Sequence, residues 1–255
     1  MSRTSIRRLA SVATIPVVLV GCATQRVEYP LEPGRGHIAA RPGRPGVVVA
    51  APHGSSDLRT ADIAAEVARR TGFGLVVASG FELGGDTGVR PGRRYQVNRP
   101  FEGTPSRPPS EDTSSEGARR VYHAYERRVR ETAQGPLRFY TEIHGNDRVE
   151  SAGRIEIATV GIDTEYAQRL RALAELVRDA NLRGRARVPR LDVVVEPADS
   201  VFYAASGAKR DGILTLPERA LHIELPRAAR TEHRELYTAI VADFVAQAVS
   251  LPRGR

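Results

Sequence analysis

The sequence is poor in sulfur and in lysine. It holds one cysteine, Cys22, and one methionine, Met1, among 255 residues. A single cysteine excludes an intramolecular disulfide and any cysteine-rich metal site. Of 38 basic residues only Lys209 is lysine. The arginines are spread beside Asp and Glu without a dense basic block, so the formal charge of +8 speaks for codon usage and not for a nucleic-acid surface. Long apolar runs are also missing. The stretch Leu9 to Val20 is interrupted by Ser11, Thr14 and Pro16, and as a helix it would rise only about 18 Å against a hydrocarbon core of about 30 Å. What is present, 41% hydrophobic and 27% charged residues, suits one good-sized core and excludes disordered and collagen-like classes.

The first 21 residues read as an export signal. Arg3, Arg7 and Arg8 precede the short apolar stretch, a pattern of cleaved leaders. The stretch ends Leu19-Val20-Gly21-Cys22, which resembles the bacterial lipoprotein signal. That resemblance implies cleavage before Cys22 and acylation of its sulfur, where each buried methylene contributes about 0.8 kcal/mol of membrane affinity. Residue 23 is Ala and not Asp, so nothing resembles the inner-membrane retention signal. The expected location is the outer membrane, facing the periplasm. Residues 22–45 are expected to form a lipidated flexible tether, because Pro30, Pro33, Gly34, Gly36, Pro42, Gly43 and Pro45 interrupt any packing surface.

From residue 46 to about 250 the pattern is that of one α/β domain. Short β-branched runs at Val47–Ala51, Leu75–Ala78, Leu137–Ile143, Arg154–Val160, Leu191–Val195 and Ala220–Leu225 predict buried strands. Helical spacing over Ala61–Arg70, Val121–Ala133, Thr164–Ala180 and His233–Val249 alternates with them, predicting a mainly parallel or mixed sheet flanked by helices. Phe101 to Gly117 is the longest irregular stretch of the domain. The arginines of Arg119–Arg130 are expected on a solvated helix face.

Open α/β sheets place ligands at the carboxyl ends of strands, and three such ends carry chemistry here. Pro52-His53-Gly54-Ser55-Ser56-Asp57 follows the first run, His144-Gly145-Asn146-Asp147 the third, and Glu224 lies within the last. Two imidazoles and a carboxylate are a common catalytic zinc set that leaves a position for water. Glu142, two residues before His144 and on its strand face, is positioned to orient that imidazole.

The order Pro-His-Gly…Asp, Asn98-Arg99-Pro100, Ile143-His144-Gly145, then Ile223-Glu224-Leu225-Pro226 resembles the N-formylglutamate amidohydrolase group. That group is akin to zinc carboxypeptidases and to a phage poly-γ-glutamate hydrolase. The resemblance implies a zinc-carboxypeptidase-like fold, zinc ligands at His53, Asp57 and His144, Glu224 as general base, and Asn98 with Arg99 holding a substrate carboxylate. Carboxypeptidases use His-x-x-Glu where this chain has Asp at the fourth position, and Asp62 is an alternative to Asp57. A second carboxylate-gripping arginine is open among Arg94, Arg154 and Arg227, and Tyr203 is a further candidate.

Each residue also has a plainer reading. Glu224 would be satisfied by an ion pair with Arg227 or Arg154, and Asn98-Arg99 would simply start a turn before Pro100. His222, two residues before Glu224, either faces the same site or packs in the core, and the core is the expectation, while His37, His123 and His233 are assigned no role. The expectation is a zinc-dependent hydrolase acting on a small or peptidic amide that bears a free carboxylate, with the membrane as partner through the lipid and no nucleic acid. Its rivals are a carboxypeptidase, a γ-glutamyl or cell-wall peptide hydrolase, and a lipid-anchored binding domain without catalysis.

Overall fold

In the computed structural model, residues 27–30, 36–83 and 92–252 are described. The leader and Cys22 lie outside them. The chain order is β1 (Val27–Pro30), β2 (His37–Arg41), β3 (Arg44–Ala51), α1 (Thr60–Thr71), β4 (Phe73–Ser79), three short strands β5 (Glu82–Leu83), β6 (Arg93–Tyr95) and β7 (Glu102–Gly103), then α2 (Glu116–Ala133) and β8 (Phe139–Asn146). It continues with β9 (Arg154–Val160), α3 (Thr164–Leu182), β10 (Asp192–Val195), α4 (Ser206–Asp211), β11 (Arg219–Pro226), α5 (Arg227–Arg230) and α6 (Arg234–Ala248).

Eight strands form one mixed sheet in the order β1-β2-β4-β3-β8-β11-β9-β10. The central β4, β3, β8 and β11 are parallel, whereas β11 meets β9 antiparallel and β2 meets β4 antiparallel. The small strands β5, β6 and β7 form a second sheet. The expected mixed α/β architecture is therefore present, but the sheet begins earlier than expected. β2 falls inside the stretch 22–45 read as tether, and Ile38 is 2% exposed. The turn-formers do not prevent this because they sit at turns: Gly36 adopts φ 87° just before β2, and Pro42-Gly43 connects β2 to β3.

Alternation on the strands divides the core into two layers. Val47, Val49 and Ala51 pack with residues of α1, α3 and α6, while Val48 and Ala50 pack with Val121, Tyr125 and Val129 of α2. Each of these valines, once fully buried, contributes roughly 1.5–3 kcal/mol. Capping sets the helix ends. Ser115 Oγ accepts from Ala118 N at 3.0 Å to start α2, Asp163 Oδ1 accepts from Tyr166 N at 2.8 Å to start α3, and Gly72 at φ 72° ends α1. The arginines of α2 pair along its exposed face, as Arg130 does with Glu126 at 2.8 Å. Among the described residues no helix is long and apolar enough to cross a membrane.

Candidate metal centre

β3 and β8 are neighbours, yet the chain leaves β3 through α1 toward β4 and leaves β8 in the opposite direction along the sheet. That reversal opens a crevice at the strand carboxyl ends, where ligands bind in open α/β sheets. A cleft of about 410 Å³ occupies it, lined by His53, Asp57, Arg99, His144, Tyr203, His222 and Glu224 among others. Glu142 and His144 alternate with Ile143 on β8, and His222 and Glu224 alternate with Ile223 on β11. Because the isoleucines belong to the core layer of α1, α3 and α6, the polar four project from the opposite face. Register places His222 opposite Glu142 and Glu224 opposite His144.

Of the expected ligands, the structure brings all three together. The His53 and His144 rings lie 5.2 Å apart, and Asp57 Oδ2 lies 3.4 Å from His144 Nδ1. Two ligand atoms at about 2.0–2.1 Å on one tetrahedral ion stand about 3.3 Å apart, so the Asp57–His144 spacing suits a shared metal. Asp62 does not join them; it sits in the first turn of α1 and pairs with Arg234 at 2.8 Å.

Below this set, Glu142 is fully buried and its Oε2 lies 3.2 Å from His144 Nε2 and 3.0 Å from His222 Nδ1. Glu142, His144 and His222 bring ligand atoms within 4.8 Å of one another, a second grouping able to hold a metal. The two sets share His144. They differ in access: Asp57 has 22% of its side chain exposed and Glu142 none. A catalytic metal keeps an open position, which favours the set nearer the cleft.

The electrostatics suit a cation. Burial lowers the His53 ring to about 4, despite the opposing pull of Asp57, so its lone pair is free near neutral pH. Burial would lower His144 as well, but hydrogen bonds to Asp57 and Glu142 outweigh it and raise that ring to about 10. Burial likewise pushes the Glu142 carboxyl up, and hydrogen bonds from His144 and His222 reverse this and hold it below the usual carboxylate range. Adjacent carboxylates that stabilise a proton on His144 stabilise a metal cation on the same side.

Glu224 is 5% exposed and pairs with neither Arg227 nor Arg154. Arg154 is taken by Glu156 at 2.8 Å, and Arg227 opens α5 exposed to solvent. Glu224 Oε1 instead lies 3.0 Å from His222 Nε2, and its Oε2 is buried without a partner among the described residues. An orphaned carboxylate oxygen in a cleft is costly unless something polar fills the site. The donor set, the His144 shift and this oxygen together fit a metal and a water.

One expectation changes. His222 is not a packed core histidine; it bridges Glu142 and Glu224 on the cleft floor. Its signal was its place two residues before Glu224, which in a strand means the same face. Asn98, expected beside Arg99 on a substrate carboxylate, lines the cleft as Arg99 does, and its amide nitrogen lies 3.4 Å from both Glu142 oxygens. Arg99 donates to Pro109 O at 3.3 Å, and among the described residues no carboxylate pairs with it. Burial lowers its pKa, and a guanidinium keeps its charge regardless. Arg94 lines the cleft but is neutralised by Asp112 at 2.7 Å, whose side chain is 1% exposed. Asp112 also anchors Gln96, so the stretch 101–117 is folded against the cleft wall.

Fold and site define a class: a mixed α/β domain with a candidate metal centre at the carboxyl ends of its strands. No protein-family model matches the chain, and no curated protein does. Among solved structures it is similar to a bacteriophage poly-γ-glutamate hydrolase, with 11% identity over 84% of this chain and 88% of that one and a TM-score of 0.48. It is also similar to a metallo-carboxypeptidase from Burkholderia cenocepacia, with 13% identity over 85% and 64% and a TM-score of 0.40. A gene product from Agrobacterium tumefaciens gives 17% identity over 85% and 93% and a TM-score of 0.45.

Proposed function

We propose that the chain is a zinc-dependent hydrolase of an amide bond in a substrate bearing a free carboxylate, of the kind its resemblance to N-formylglutamate amidohydrolases implies. His53, Asp57 and His144 would hold the ion. The observation that carries the reading is the buried, partnerless Oε2 of Glu224 in the cleft that those three residues and Arg99 also line. A zinc ion held there supplies a Lewis acid for the scissile carbonyl and lowers the pKa of water toward about 7. Glu224 Oε2 takes the proton of the attacking water and returns it to the leaving nitrogen. Arg99, without a carboxylate partner among the described residues, binds the substrate carboxylate through its planar fork. Glu142 holds His144 in orientation through the ring nitrogen that faces away from Asp57.

The leader and Cys22 support an exported, lipid-anchored protein of the outer membrane. That location favours cell-wall peptides or γ-glutamyl chains over a cytosolic metabolite. The test is hydrolysis of N-formylglutamate, γ-glutamyl peptides and muropeptides by the zinc-loaded protein beside Glu224→Gln. Turnover of one class by the parent alone is expected. Equal binding of ligands by both forms with no turnover by either would leave a binding domain.

A further inference from the structure

We infer that His222, itself held by Glu142, is the positioning residue that decides which oxygen of Glu224 is free for chemistry; this rests on the hydrolase reading above. The sequence writes Glu-x-His on β8 and His-x-Glu on β11, and the parallel register sets each acid opposite a histidine. The consequence is a continuous polar chain across the floor. Tyr125 and Tyr140 hydroxyls meet at 2.9 Å, Tyr140 Oη donates to Glu142 Oε1 at 3.2 Å, and Glu142 Oε2 lies 3.0 Å from His222 Nδ1. His222 Nε2 then lies 3.0 Å from Glu224 Oε1.

Every member of this chain is buried, with Tyr125, Tyr140 and Glu142 fully so. Glu142 has both oxygens engaged, so its carboxylate plane cannot turn, and the His222 ring is fixed from one side by Glu142. It is fixed from the other by the ring of His144, 4.1 Å away centroid to centroid. A glutamate's last torsion is otherwise broad and roughly two-fold. With Oε1 tied to His222, Oε2 is the oxygen left without a partner. Without His222 either oxygen could turn to either side, and the carboxylate could swing onto a cation in the cleft.

Two substitutions separate this role from its rivals. His222→Phe keeps the ring volume and removes both nitrogens, while His222→Gln keeps one amide donor near the place of Nε2. Zinc content and thermal midpoint are read first. Acetohydroxamic acid is then titrated calorimetrically into each zinc-loaded protein. Its acidic O–H needs a correctly placed carboxylate to receive the proton when the oxygen binds, so it reports the state of Glu224 without any substrate being known. The expected result is zinc retained in both variants, probe affinity reduced tenfold or more in His222→Phe as in Glu224→Gln, and most of the loss recovered in His222→Gln. Unchanged probe affinity in a zinc-loaded His222→Phe protein overturns the inference. Loss of zinc from both variants overturns it too, by making His222 a ligand. A parent that takes up no zinc is a different failure: it removes the hydrolase reading and this inference with it.

Discussion

Asp57 Oδ2 accepts a hydrogen bond from the backbone N of Gly145 at 3.2 Å while lying 3.4 Å from Nδ1 of the neighbouring His144. The loop after β3 is thereby tied to the end of β8, and its carboxylate faces the imidazole it would share a metal with. The proposed ligand set comes from two strand ends locked in one geometry, an arrangement that holds before any ion arrives.

The general base gives the sharpest kinetic prediction. Glu224→Gln is nearly isosteric and leaves the His222 contact possible, so the fold and metal content should persist. Turnover should fall about 10²- to 10⁴-fold, the range for a lost general base. Zinc content and kcat measured on the same preparation check this.

Arg99 should govern substrate binding. Replacing it by Met removes a charge-assisted contact worth roughly 1.5–3 kcal/mol, so KM should rise about 10- to 100-fold while kcat changes little. An amidated substrate analogue should bind parent and variant alike.

Zinc uptake should release a proton. In the metal-free protein His144, raised to about 10, is an imidazolium at pH 7, while His53, lowered to about 4, is already neutral. Ligation needs the neutral ring, so binding at pH 7 should expel about one proton. Apparent affinity should rise about tenfold per pH unit until pH approaches 10. Calorimetry in buffers of different ionisation heat reads this directly, and an absence of proton release would place the metal off His144.

Arg230 is predicted to hold the strand ends in place. It is 1% exposed and donates to Leu225 O at 3.0 Å, Leu58 O at 2.9 Å, Asn146 O at 3.0 Å and Asp147 Oδ1 at 2.8 Å. It thus joins β11, the loop after β3 and β8. A Cβ on Gly145 would stand 2.4 Å from its guanidinium carbon, so glycine is needed there. Arg230→Met should cost roughly 3 kcal/mol or more by orphaning buried carbonyls and should weaken zinc binding; chemical denaturation and zinc competition measure the two.

The strands were legible because β-branched runs bounded by turn residues leave few alternatives, as at β9, where the expected and observed limits coincide at Arg154–Val160. That His53, Asp57, His144 and Glu224 line one cleft was legible for a related reason: each stands at or just past the end of such a run. What escaped depended on tertiary pairing. β2 is too short and too close to Pro and Gly to announce itself, and it becomes a strand by pairing with β4. For His222 spacing leaves both a core and a cleft placement open, and the choice is made only when register sets Glu142 beside it. The contact of the Asn98 amide with Glu142, 44 residues away, is likewise set by tertiary pairing and by nothing local.

One zinc ion is expected to bind through His53, Asp57 and His144. The most direct measurement is elemental analysis of the parent domain and of His53→Ala, Asp57→Ala and His144→Ala after incubation with zinc and gel filtration. Close to one zinc per chain in the parent and little in all three variants is the predicted result. Full zinc retained in His53→Ala and Asp57→Ala, with loss confined to His144→Ala, would contradict it and move the ion to the floor between Glu142 and His222.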